Sequence, residues 1–233
     1  MMEVNLPQLK EFNSKVQEIA SKIDFDSNVI YAVQEFSSGH ACWNAHTLTQ
    51  YVKFIHNKQI WEAELKITGC NDYGSYFPAK AELTVKINRK EKERLTVKVD
   101  GREVEEMTGK FEDEELIETL WDPENTIHEA GWKQEYWQKD SVNYGSYKYV
   151  FRKEFREFIT ELENLAERTE PCGEEEVSVY IKVTKSNIDK VKKLLKENED
   201  MYWGLNKLVN DEETEIDINK IQEGDNIVVY YSI

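Results

Sequence analysis

Glycine and proline are scarce, ten and four in 233 residues. That excludes collagen-like and low-complexity chains, which are built on those two residues. Cysteine is scarcer still. Cys42, Cys70 and Cys172 are odd in number and scattered, which is no disulfide framework and fits a reducing compartment. No run approaches the roughly 20 apolar residues that a membrane span needs. The opening Met1-Met2-Glu3-Val4-Asn5 has no basic segment leading into an apolar one, so no secretory signal is expected and a cytoplasmic protein is. A phosphate-binding Gly-rich loop, a Gly-x-Ser-x-Gly elbow and a His-Glu-x-x-His motif are all missing.

Positive charge is also short. Lys and Arg number 30 against 46 Asp and Glu, a net charge of −16. Such a surface repels phosphates and anionic lipid at long range, so neither direct nucleic-acid binding nor membrane binding is expected. It suits a basic protein partner. What the chain has in plenty is aromatic rings. Six Trp and twelve Tyr are more than a disordered chain carries, so a real core is expected.

Periodicity places the elements. Leu9, Phe12, Val16, Ile19 and Ile23 alternate spacings of three and four, predicting a helix over 5–23 with Pro7 in its first turn. Strands are expected at 29–36, 47–56 and 59–68, the last two joined by a tight turn at Asn57-Lys58. Alternation recurs at Ala81, Leu83, Val85 and Ile87 and at Leu95, Val97 and Val99, with Asp100-Gly101 as a hairpin turn. Glu114–Trp121 reads as a short helix stopped by Asp122-Pro123. Residues 126–149 show no clean period and read as a connection with a strand near 147–151. Phe151, Phe155, Phe158, Ile159, Leu162, Leu165 and Ala166 then line one face of a helix.

The Pro171 and Gly173 punctuation, set among charges, marks a boundary. Past it come a strand at 177–183, a helix capped by Ser186 with Asp189 three residues on, a turn at Glu223-Gly224-Asp225 and a strand at 227–232. The fold class is therefore α+β. Residues 1–168 are expected to form a helix-covered antiparallel meander, and 174–233 a small α+β domain or docked subdomain.

Four constellations bear on function. In His40-Ala41-Cys42-Trp43-Asn44-Ala45-His46, the residues His40, Cys42 and His46 are of metal-ligand type, but a zinc site takes four ligands and no Cys-x-x-Cys supplies the rest. The bland alternative is a small buried thiol. Second, Gly39-His40-Ala41-Cys42-Trp43 resembles the Cys-Trp context of papain-like and transglutaminase-like enzymes. That likeness implies a Cys42 nucleophile with His128 as base and Asp140 or Asn143 to orient it. Third, Glu112–Glu115 opens the expected helix, where its dipole favours negative charge, so no metal role is needed. Glu174–Glu176 and Asp211–Glu213 read as solvated linkers and turns.

Fourth, Trp132, Tyr136, Trp137, Tyr144 and Tyr147 crowd together with Glu129 and Glu135. Rings of this kind dominate protein-binding hot spots, and the carboxylates among them oppose a phosphate backbone. Core packing is the bland alternative. The expectation that follows is a non-enzymatic protein-binding protein using this stretch, in its narrower form an inhibitor that occupies a partner's nucleic-acid-binding surface, as phage antagonists of host defence do. No cofactor is expected. The rivals are a hydrolase or transferase built on Cys42 and a structural subunit of a larger assembly.

Overall fold

The structure, a computed structural model, describes residues 6–39, 44–72, 75–99, 117–122, 126–128, 130–138, 143–173, 176–210 and 212–232. It is α+β, with two antiparallel sheets of seven and five strands. The chain divides into two compact units, one made of Met1–Ile127 and Gln134–Phe151, the other of His128–Lys133 and Arg152–Ile233.

The first unit opens with α1, Leu6–Ala20, which buries Leu9, Phe12, Val16 and Ile19 as the spacing predicts. Five long strands follow: β1 (Val29–Gly39), β2 (Asn44–His56), β3 (Gln59–Asp72), β4 (Ser75–Ile87) and β5 (Lys90–Val99). With β6 (Trp132–Gln138) and β7 (Asn143–Arg152) they form a sheet in the order β5-β4-β3-β2-β1-β7-β6. Alternation sorts the two faces. Leu48, Val52 and Phe54, Ala63, Leu65 and Ile67, and Ala81, Leu83 and Val85 are buried on one of them. Lys15 reaches from α1 to Glu93 of β5 at 2.9 Å and to Glu18 at 2.8 Å, fixing the helix over that end of the sheet. Among the described residues, the turns of the meander are Asn57-Lys58 between β2 and β3 and Asn88-Arg89 between β4 and β5. Both central residues have positive φ in each, as a type I′ hairpin requires. The expected Asp100-Gly101 turn lies outside the described residues.

The expected helix at 114–121 is not formed where it is described. Residues 117–122 run as an irregular segment. Side chains have taken the main-chain groups a helix would need. Asn13 Oδ1 accepts from Glu118 N at 3.0 Å, and Gln50 Oε1 accepts from Leu120 N at 2.9 Å. Gln50 Nε2 donates to Trp121 O at 2.8 Å and to Gln34 Oε1 at 3.1 Å, and Trp121 Nε1 also donates to Gln34 Oε1 at 2.8 Å. Gln34 and Gln50 face each other across β1 and β2, and both are buried. Ile117, Leu120 and Trp121 are buried with them.

The second unit holds α2 (Lys153–Glu163), β8 (Arg168–Pro171), β9 (Glu176–Lys182), α3 (Ile188–Glu197), β10 (Gly204–Val209), β11 (Glu212–Glu215) and β12 (Asn226–Ser232). Its sheet runs β11-β10-β12-β9-β8. β9 and β10 each pair antiparallel with β12, so they are parallel to each other and α3 joins them in a split β-α-β unit. The core combines Phe155, Phe158, Ile159 and Leu162 of α2 with Val179, Ile181, Val191, Leu195, Val229 and Tyr231.

Two boundaries differ from expectation here. The helix placed with residues 1–168 packs instead into the C-terminal core. Pro171 and Gly173 punctuate no linker, because Cys172 N donates to Glu176 O at 2.9 Å and closes a hairpin between β8 and β9. Ser186 is not the cap of α3, which starts at Ile188 after Asn187. Asn187 Oδ1 accepts from Thr184 N at 2.7 Å, and the Ser186 hydroxyl lies 2.9 Å from that of Thr184. The local turn has absorbed the polar side chains that the sequence offered to the helix.

Candidate acidic groove of the C-terminal unit

The aromatic stretch is divided by the fold. Trp132 is fully buried at the head of β6, so its ring offers nothing to a partner. Tyr147 on β7 is exposed and stacks on Phe36 at 6.4 Å between ring centroids. Glu135 faces Lys148 at 3.5 Å, an ion pair on the same two strands. Tyr136 and Trp137 belong to β6 and Tyr144 to β7, and their side chains lie outside the described residues, as does Glu129.

Of the nucleophile and zinc candidates, His40, Cys42 and Asp140 lie outside the described residues. His46 is placed on β2, Asn143 on β7 and His128 in a 3-10 turn, Thr126–His128, by their backbones alone. Among the described residues no three His, Cys, Asp or Glu side chains gather as metal ligands. Cys172 is an exposed free thiol.

A different place is more exposed and more sharply charged. Trp203 is 57% exposed, more than any other large apolar side chain among the described residues. Its position is set from both sides. Upstream, α3 ends where Asn198 Nδ2 donates to Leu194 O at 2.7 Å, and Met201 N bonds Asn198 O at 3.0 Å. Downstream, Trp203 N donates to Tyr230 O at 2.9 Å, which registers the residue against β12. The Trp203 and Tyr230 rings then lie 4.9 Å apart. Gly204 makes room for this. A Cβ there would stand 3.0 Å from Tyr230 Cδ2.

Tyr230 is held in turn. Its hydroxyl donates to Glu213 Oε2 at 2.5 Å, and Asn206 Nδ2 donates to the same oxygen at 2.9 Å. Burial first, then the Glu213 carboxylate, pushes the Tyr230 hydroxyl well above the ordinary tyrosine range. Past the end of β11, Ile216 N bonds Leu205 O at 3.1 Å, and Asp217 Oδ1 caps a 3-10 turn, Ile218–Lys220, by accepting from Asn219 N at 2.7 Å. Between Trp203 and this segment is an open groove of about 640 Å³, lined among others by Glu199, Asn206, Glu215 and Asp217.

The charge of this region is one-sided. Residues 199–217 carry seven carboxylates and a single lysine. That lysine, Lys207, is already held by Asp225 at 2.6 Å. A second concavity, about 140 Å³ on the outer face of the seven-stranded sheet, differs in kind. Its Glu62, Glu64 and Glu82 alternate with Lys66, Lys86 and Arg94. Across the strands the row runs Lys53, Glu62, Lys86, Glu91, each charge opposite its counter-charge, which is the pattern of a solvated sheet face.

Trp203 carried little signal in the sequence. It stands between Tyr202 and Gly204, outside the aromatic-rich stretch, and Asp211–Glu213 beyond it reads as a turn. The usable clue was the excess of acid around it, seven carboxylates to one lysine over residues 199–217. Comparison with known protein families, curated proteins and solved structures finds no match for this chain.

Proposed function

We propose that this is a non-enzymatic protein-binding protein whose Trp203 groove holds a basic segment of its partner. One observation carries the reading: the most exposed large ring among the described residues sits among carboxylates that their own stretch does not neutralise. A guanidinium suits both components. It stacks on the indole face and donates in a planar fork to carboxylates, whereas an ammonium does the second less well. Seven acidic residues also steer a cation toward the groove before contact. In the narrower form of this reading the partner's basic segment is a nucleic-acid-binding surface, and occupying it inhibits the partner.

The test is fluorescence anisotropy with a labelled arginine-rich peptide. Trp203→Ala removes the central ring and is expected to weaken binding by about 2 kcal/mol, roughly thirtyfold. An affinity that survives Trp203→Ala sinks the reading. So does a duplex oligonucleotide that binds in the peptide's place, seated on the six lysines between residues 182 and 196.

A further inference from the structure

Four strands end the two sheets, β5 and β6 in one and β8 and β11 in the other. An end strand leaves main-chain N–H and C=O groups unpaired along one side, and an added strand can use them. β5 carries both signs, with Lys90, Lys92, Arg94 and Lys98 beside Glu91 and Glu93, and β6 pairs Lys133 with Glu135 in composition. β8 balances Arg168 against Glu170 and ends on Pro171, which has no N–H to give. β11 alone is of one sign. It reads Glu212-Glu213-Thr214-Glu215, and all four residues are exposed.

β11 also borders the groove. Glu215 lines it, and the chain runs on from β11 into Ile216 and Asp217, which line it too. The direction of the free groups follows from the register. Ile216 N points inward to Leu205 O, so by the alternation of an antiparallel pair Thr214 and Glu212 also bond inward, while the N–H and C=O of Glu213 and Glu215 point away from β10. The edge thus combines outward main-chain groups with like charges. Those charges repel a second copy of the same edge, which is how natural sheets avoid self-association. They attract an edge of opposite charge.

Resting on the groove reading above, we infer that the basic partner binds as an added strand. An extended segment with basic residues at alternate positions pairs its main chain with Glu213 and Glu215 and turns one cationic side chain past Glu215 into the groove that Trp203 lines. β11 then becomes an interior strand of a six-stranded sheet. The specificity is for an extended basic segment, and a basic helix with the same charge does not fit, because its main-chain groups are already used internally.

The probe is the hexapeptide Arg-Val-Arg-Val-Arg-Val, with variants N-methylated at one residue each, titrated against the full chain. Strand addition predicts a loss of at least tenfold on methylating one residue and little change on methylating its neighbour, alternating along the peptide. Amide hydrogen exchange at Glu213 and Glu215 should slow on saturation while Glu212 and Thr214 hold their rates. Binding that Trp203→Ala abolishes but that ignores N-methylation overturns strand addition and leaves the groove reading standing. Binding that ignores both changes overturns the two together.

Discussion

Asp225 sits just before β12 and ties three pieces of the C-terminal sheet together. Its carboxylate is 8% exposed and meets Lys207 of β10 at 2.6 Å. Gln222 N donates to Asp225 Oδ2 at 2.8 Å, while Val183 N donates to Asp225 O at 2.8 Å from the end of β9. Burial alone pushes this carboxyl up. The Lys207 hydrogen bond, the Gln222 amide and the charges of Lys207 and Lys192 together outweigh burial, so the group ionises below its ordinary value of 3.8. A lowered folded-state pKa stabilises the fold above the unfolded value, and the contribution disappears as pH falls through the folded one. Asp225→Asn keeps the shape and removes the charge. Because Lys207 is 35% exposed, the cost at neutral pH is modest, about 1–2 kcal/mol. Chemical unfolding followed from pH 7 to pH 2.5 should show the variant weaker at neutral pH, with the gap closing only below about pH 4. A gap that closes near pH 6 instead would point to a different titrating group.

At the scale of elements, the meander is bounded by turns that bring strain with them. Asn57 and Lys58 have φ of 50° and 61°, and Asn88 and Arg89 have 50° and 67°. Asparagine tolerates this region, whereas lysine and arginine pay a steric cost against the following carbonyl. Lys58→Gly relieves that cost and gives back part of it as unfolded-chain entropy, leaving a gain of up to about 1 kcal/mol. The thermal midpoint should therefore rise, and a fall would mean that Lys58 makes a contact worth more than its strain. Asn57-Lys58 was legible as a turn because strong alternation flanks it on both sides. Helix α1 and the inner faces of β3 and β4 were legible for the same reason, since burial repeats with the period of the element. The 117–122 segment was not. Glu118 and Leu120 look helical on their own, and only the folded sheet brings Asn13 and Gln50 to their amides. β11 was hidden differently. Exposed on every residue, it has no apolar alternation to announce a strand, and its pairing with β10 becomes visible only in the register. The groove inherits that obscurity, because only the pairing of β10 with β11 brings Asn206 and Glu215 together beside Trp203.

For the whole molecule, one quantity drives two properties in opposite directions. The net charge of −16 stores like-charge repulsion in any compact state. The same excess draws a basic segment to the acidic groove. Salt screens both. Between about 0.01 M and 0.15 M the screening length falls from about 30 Å to about 8 Å, shorter than a domain but longer than a contact. Repulsion summed over the whole surface is therefore damped more than the short ion pairs within it, such as Lys15 with Glu93 at 2.9 Å. The thermal midpoint should rise over this range of sodium chloride, while the affinity for an arginine-rich peptide falls. Ion-specific effects are separated by repeating the titration with sodium acetate, which should give the same curve at equal ionic strength. A midpoint that falls together with the affinity would mean that short ion pairs, and not the like-charge excess, govern how the fold responds to salt.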